Sequence, residues 1–375
     1  MKTVRVGDLA TQVRGVTFAK EDASSDQLPG SVGVVRAGNI VEGELQTDDL
    51  VFVPAAKVAD KQILRRHDVL IAASSGSLDV VGKAARVRED QAVAFGAFCK
   101  VLRPTNKIDP GYFAHYFQTI EYRRHVSSVA AGANINNLKN ADLDDIEIPL
   151  PPIEEQRRIA SILDAADALR TKRRQALAKL DTLAQAIFID MFGDPLHLRR
   201  GGSEPTSESK LGELARVRTG KLDANASSED GIYPFFTCAS EPLRIDVSAF
   251  ECNAILVAGN GDLNVKYFEG KFNAYQRTYV IDSLDESRAH PRFLHGFLDI
   301  YVGRLREQAI GGVIRYIKLG MLTEAVVQLP SQHAQSVYVR TIEAVDAARS
   351  LAEHSEKQAD ALFTALQYRA FRGEL

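Results

Sequence analysis

Two long stretches of the chain carry apolar residues at steps of three and four. From Ile159 the stripe runs through Ile162, Ala166, Leu169, Ala176, Leu180, Leu183, Ile187 and Met191. A second one runs through Tyr338, Ile342, Val345, Ala348, Ala352, Ala359, Leu362 and Leu366. That period predicts amphipathic helices over about 152–192 and 331–372. Pro151 and Pro152 suit a first helical turn, and Glu154 and Glu155 sit where the helix dipole favours negative charge. Ser331 is the expected N-cap of the second helix, and Gly193 and Gly373 the expected stops. At 1.5 Å per residue each helix is roughly 60 Å long, more than a small domain needs to cover its own core. The two stripes are therefore expected to pair as an antiparallel coiled coil, a spacer between globular units. The alternative is that each helix packs on its own domain.

The remaining sequence mixes short apolar runs with glycine-rich turns and reads as mixed α/β. Expected strands are Val32–Val35, Val69–Ala72, Ala84–Val87, Ala97–Leu102, Ala254–Val257 and Tyr279–Ile281, with short helices at Gly111–Arg124 and Pro291–Glu307.

The plan is written twice. GANINNLKNADLDDIEIPLP from Gly132 aligns without a gap on GGVIRYIKLGMLTEAVVQLP from Gly311, and the register continues through Gln156 on Gln335, Asp167 on Asp346, Asp181 on Asp360 and Phe192 on Phe371. Val6-Gly-Asp-Leu-Ala also matches Leu211-Gly-Glu-Leu-Ala. A duplication accounts for this, giving globular domains over 1–150 and 211–330, helices over 151–195 and 331–375, and a Gly/Ser/Pro-rich linker over 196–210.

The chain has 375 residues and a net charge of −3, which counts against a simple nucleic-acid binder acting alone. Three cysteines without a CxxC pair fit a reducing cytoplasm, and no apolar run approaches a membrane span. No P-loop, no Asn/Asp-Pro-Pro-Tyr/Phe methyltransferase motif and no acidic nuclease cluster is present; His290 and His295 lack further metal-ligand partners. The expectation is a non-catalytic chain without a metal site.

Candidate DNA contacts fall in corresponding places. In the first domain a strand leads into a small polar turn with Ser74, Ser75 and Ser77, followed by Lys83, within a region (60–125) of eleven Lys or Arg against seven Asp or Glu. Small hydroxyls and turn N–H groups suit phosphate. In the second, Asn260, Asn264, Lys266, Lys271, Gln276 and Arg277 crowd together, a set able to pair with guanine and adenine edges. Asn134 and Asn136 in the first copy of the repeat and Arg315 in the second are further candidates.

The doubled layout, IPLPPIEEQRRIASILDAADALRTKRRQALAKLDTLAQAIFIDMFG (148–193) and ILVAGNGDLNVKYFEGKFNAYQRTYVI (255–281) resemble the specificity subunit of type I restriction–modification systems. The second helix departs from that family's Pro-x-x-Glu-Gln opening, with Ser331 first and only Gln335 kept. The resemblance implies two target-recognition domains, each reading half of a bipartite, asymmetric site in double-stranded DNA, with the coiled coil fixing the gap. It further implies two modification subunits carrying S-adenosylmethionine that methylate adenines, and ATP- and Mg-dependent restriction subunits that cleave. Two other readings stay open on sequence: DNA recognition for another methyltransferase or phage-exclusion complex, and a coiled-coil scaffold that binds proteins.

Overall fold

The computed structural model describes residues 2–131, 137–197 and 206–375. They form two compact units, one of 1–173 with 355–375, the other of 174–354. The long helices are Ile153–Phe192 and Gln332–Arg372, of 40 and 41 residues. Each is cut by the unit boundary, so each unit owns half of both helices. The sequence-based domains end where the helices begin; the compact units cut through them. The first helix opens on Glu155 N donating to Pro152 O, and Ser331 Oγ accepts from Ala334 N at 3.2 Å at the start of the second. Gly193 (φ 88°) and Gly373 (φ 76°) terminate them in the left-handed region that a side chain disfavours.

Within each unit the helical halves run antiparallel. In the first, Arg158 Nη2 donates to Leu375 O at 2.7 Å, and Arg170 Nε donates to Asp360 at 2.7 Å. In the second, Arg349 pairs with Asp181, while Phe188 and Phe192 pack edge-on against Tyr338. Higher numbers on one helix thus meet lower numbers on the other. The halves also cover a globular core: Ile159, Ala160 and Leu163 join the Tyr112–Phe113 cluster, and Phe188 and Phe192 join that of Phe293. The antiparallel pairing is present, and each helix packs on both globular cores rather than on its own domain alone.

Each unit holds a four-strand frame of the same order. In the first it is Ala10–Arg14, Cys99–Pro104, Val69–Ala72, Ala84–Arg86; in the second, Ala215–Thr219, Thr278–Ser283, Phe250–Ala258, Val265–Ala274. All the neighbouring pairs in these two frames are antiparallel. Side chains alternate between two cores, as strand geometry requires. Leu70 and Val101, like Leu256 and Val280, point into an inner core; Ile71 and Leu102, like Val257 and Ile281, face the helices.

The duplication persists at the level of single hydrogen bonds. Val6 N donates to Ile146 O at 2.8 Å, and Leu211 N to Ala325 O at 2.9 Å. Gln156 Oε1 accepts from Asp109 N and its Nε2 donates to Pro151 O, both at 2.8 Å. Gln335 accepts from His290 N at 2.8 Å and donates to Pro330 O at 3.1 Å. Both glutamines are buried, which makes these bonds hard to replace.

Expected boundaries shift at several places. Thr206–Lys210, placed at the end of a linker, is a strand paired with Val326–Pro330, the counterpart of Thr3–Arg5 with Glu147–Pro149. The Gly111–Arg124 helix is two helices, Pro110–Tyr116 and Ile120–Ala131. Thr119 divides them, its hydroxyl donating to Tyr116 O and accepting from Tyr122 N to cap the second. The strand expected from Ala97 starts at Cys99, because Ala97 and Phe98 form a turn. Among the described residues no helix is long and apolar enough to cross a membrane.

Candidate nucleic-acid interface

The candidate residues are best placed by the turn that precedes the second strand of each frame. In the second domain Thr278 N donates to Tyr275 O at 2.8 Å, leaving Gln276 and Arg277 as the exposed centre of the turn. In the first, Cys99 N donates to Gly96 O at 2.8 Å, and the centre is Ala97 and Phe98. The flanks agree as well. Gly96 N bonds Val35 O and Tyr275 N bonds Phe236 O, both at 2.9 Å. Gly15 and Gly220 lie against the two turns, where a Cβ would stand 2.1 Å from Gly96 O and 1.8 Å from Ala274 O. Neither position tolerates a side chain without moving the turn.

A second loop meets each turn. Ala73 N and Ser74 N donate to Phe98 O, and Gly259 N donates to Arg277 O. Ser74 then bridges to Asn137 as Asn260 bridges to Tyr316. Ser74 and Asn260, picked from sequence on separate grounds, therefore occupy one position of the repeated fold. The structure brings Asn260, Arg277 and the Arg315 backbone together, since Gly261 N donates to Arg315 O at 2.9 Å. The Arg277 guanidinium has no hydrogen-bond or ion-pair partner among the described residues.

The other candidates are more engaged. Asn264 Nδ2 donates to Cys238 O and Asp262 O, and Lys266 Nζ donates to Asn264 Oδ1. Burial lowers the Lys266 ammonium below the ordinary lysine range, so this pair braces the loop. Lys271 lies 3.8 Å from Glu251, and Gln276 Nε2 reaches Asp223 at 3.4 Å. In the first domain Ser75 Oγ accepts from Ser77 N, and Arg123 holds the following loop through Val81 O and Asp79 O. Lys83 is exposed beyond it. Asn134 and Asn136 lie outside the described residues. His290 caps the Pro291–Gln308 helix through Nδ1, and desolvation lowers the partly buried His295 imidazole. No group of three His, Cys, Asp or Glu suited to a metal ion occurs among the described residues.

Ser74, Ser75 and Phe98 line an open concavity of about 1050 Å³ in the first domain, together with Phe18, Lys20 and Arg36. Sequence reading passed over Phe98, Arg36 and Lys20. Aligning AFGAFCKVL with NAYQRTYVI would have pointed to Phe98; Arg36 and Lys20 reach the concavity only through the fold.

The family model described as "Type I restriction modification DNA specificity domain" matches residues 1–180 and 204–360. The EcoKI type I specificity subunit of Escherichia coli (strain K12) is 30% identical over 417 aligned residues, covering 99% of this chain and 88% of that protein. The StySPI specificity subunit of Salmonella potsdam is 42% identical over 189 residues, covering 49% of this chain but only 41% of its own length. The fold is shared with the type I S subunit of M. genitalium at a TM-score of 0.60, with 15% identity and coverage of 99% and 96%. A chain from a structure of type I restriction–modification complex assembly gives a TM-score of 0.57, also at 15% identity, with coverage of 100% and 98%. Two matching copies of the domain, a full-length relative and the repeated frame agree: the chain belongs to the type I restriction–modification specificity family, whose members recognise the DNA target and leave catalysis to partner subunits.

Proposed function

We propose that each domain reads one half of a bipartite, asymmetric site in duplex DNA, and that the long helices set the gap between the halves. The observation that carries this is the pairing of a repeated backbone frame with unlike side chains on its exposed turn, Gln276–Arg277 in one domain and Ala97–Phe98 in the other. A common frame presents each turn in the same way, while different donors and apolar groups select different bases. As a specificity subunit the chain works with methyltransferase and restriction subunits on DNA. Two modification subunits would carry S-adenosylmethionine and extrude the target adenine, with ATP and Mg on the restriction subunits, in the cytoplasm. The net charge of −3 supports sharing of phosphate contacts with those partners.

Replacing residues 1–150 with the matching segment of a related chain tests this reading. Methylome sequencing should show one half of the modified motif changed and the other kept. A change in both halves, or in neither, overturns it.

A further inference from the structure

We propose that Phe98 is a specificity-determining residue of the first domain, reading a thymine through the 5-methyl group in the major groove; this rests on the DNA-reading function above. Phe98 holds the turn position that Arg277 holds in the second domain, fixed by the same closing bond and the same carbonyl contact from the neighbouring loop. Its side chain is left standing out, 70% exposed, beside Ser74 and Ser75 at the concavity that Arg36 also lines. An aromatic ring in water gains by being covered. Here the ring belongs to a turn with no role in either core: the inner core takes Phe95 and Cys99 from this segment, and Phe98 joins neither.

The chemistry narrows what covers it. A phenyl ring offers no donor or acceptor, so it cannot distinguish bases by hydrogen bonding as a guanidinium does. The thymine methyl is the apolar group that a base pair presents in the major groove, and a Phe side chain is a recognised partner for it. Ser74 and Ser75 beside the ring are suited to hold the adjoining phosphate or base edge. The two domains would then use one turn position for opposite chemistries, apolar contact in the first and a guanine-seeking cation in the second.

The test uses the complex of the full chain with its modification subunit, on a duplex carrying its methylated motif, at fixed salt. Each thymine of the half-site read by the first domain is replaced singly by deoxyuridine, which removes the methyl alone. At one position the wild-type complex should lose about three- to fivefold in affinity, the worth of one buried methyl. Phe98→Ala, its melting temperature unchanged, should show a comparable loss on the unmodified duplex and no further loss with deoxyuridine there. Phe98→Leu should restore the response. Deoxyuridine sensitivity that persists in Phe98→Ala overturns the inference, as does unchanged affinity of that variant or an equal loss on scrambled duplex. Failure of the wild-type complex to prefer its motif over scrambled DNA would instead overturn the DNA reading itself.

Discussion

In the second domain the strand Val265–Ala274 runs ten residues unbroken and carries six strands in one sheet; in the first, the same path divides into Ala84–Arg86 and Val93–Phe95, and the sheet splits into four strands and three. The ends of the path correspond, since Val93–Phe95 runs parallel to Ser31–Val35 as the end of the long strand does to Tyr233–Phe236. Gly270 takes a φ of 123° within the long strand, which a side chain would disfavour, and the pairing continues through it. In the first domain the intervening segment is drawn into other bonds. Arg88 pairs with Glu44 and Asp167, and Asp90 accepts from Arg66 N. Two copies can thus diverge in sheet continuity provided the inner core, the helix-facing core and the turn keep their places.

The contacts that join each domain to the long helices follow the same rule, and replacing them shows how far the copies are interchangeable. The largest effect is expected at the paired glutamines. Gln156→Leu strands Asp109 N–H and Pro151 C=O, and Gln335→Leu strands His290 N–H with Pro330 and Arg288 carbonyls. Each should cost about 2–4 kcal/mol by denaturant unfolding, since a buried proline carbonyl and partly buried backbone groups lose their partners. A large cost in one unit alone would break the equivalence.

Next comes a position where bulk has been exchanged. Six residues into the helix capped by His290 stands Gly296, where a Cβ would lie 2.1 Å from the Tyr338 hydroxyl and 2.8 Å from Phe188. Six residues after the Asp109 cap stands His115, and the repeat register puts Ile159 in the place of Tyr338. Gly296→Ala should destabilise by about 1–3 kcal/mol through overpacking. Combined with Tyr338→Ile, the alanine should cost less than it does alone. Additive costs in thermal melts would show that the two positions are not coupled.

Two ion pairs that the repeat makes equivalent should differ. Arg170 lies over the Phe363 ring at 4.3 Å as it pairs with Asp360, and its side chain is 16% exposed; Arg349, on Asp181, is 40% exposed. Arg170→Ala should cost about 1–2 kcal/mol, from the ring contact and the partly buried pairs with Asp167 and Asp360. Arg349→Ala should cost less than about 1 kcal/mol. Equal losses would mean that the aromatic contact contributes nothing.

The smallest effect is a pH dependence carried by one carboxyl of the first unit, Asp164. Partial burial alone would raise the Asp164 carboxyl, but the hydrogen bond from His115 and the Arg86 charge outweigh it and bring the group below the ordinary aspartate value of 3.8. A carboxyl lowered on folding stabilises the fold above its unfolded value, and that contribution disappears as pH falls through the folded one. Its repeat counterpart, Glu343, is exposed. Acid titration below about pH 4 should therefore weaken the first unit in a way that Asp164→Asn removes. Unaltered acid sensitivity in that variant would place the effect elsewhere.

Much of this was readable in one dimension. The period of three and four over 40 residues, with Pro151, Ser331, Gly193 and Gly373 at the ends, determined the long helices because helix formation and termination are local. The gap-free match from Gly132 onto Gly311 determined that the two halves share a frame, and the buried Gln156 and Gln335 show that matched identity meant matched bonding. The break at Thr119 was hidden because a hydroxyl caps a helix only once the chain has turned, and Gly111–Arg124 has unbroken helical character up to that point. Only the tertiary structure decided that each long helix serves both units and that Arg36 and Lys20 join Phe98 at one concavity. Those facts depend on which strands pair and which surfaces meet far along the chain, and neighbours in sequence carry no record of that pairing until the cores close.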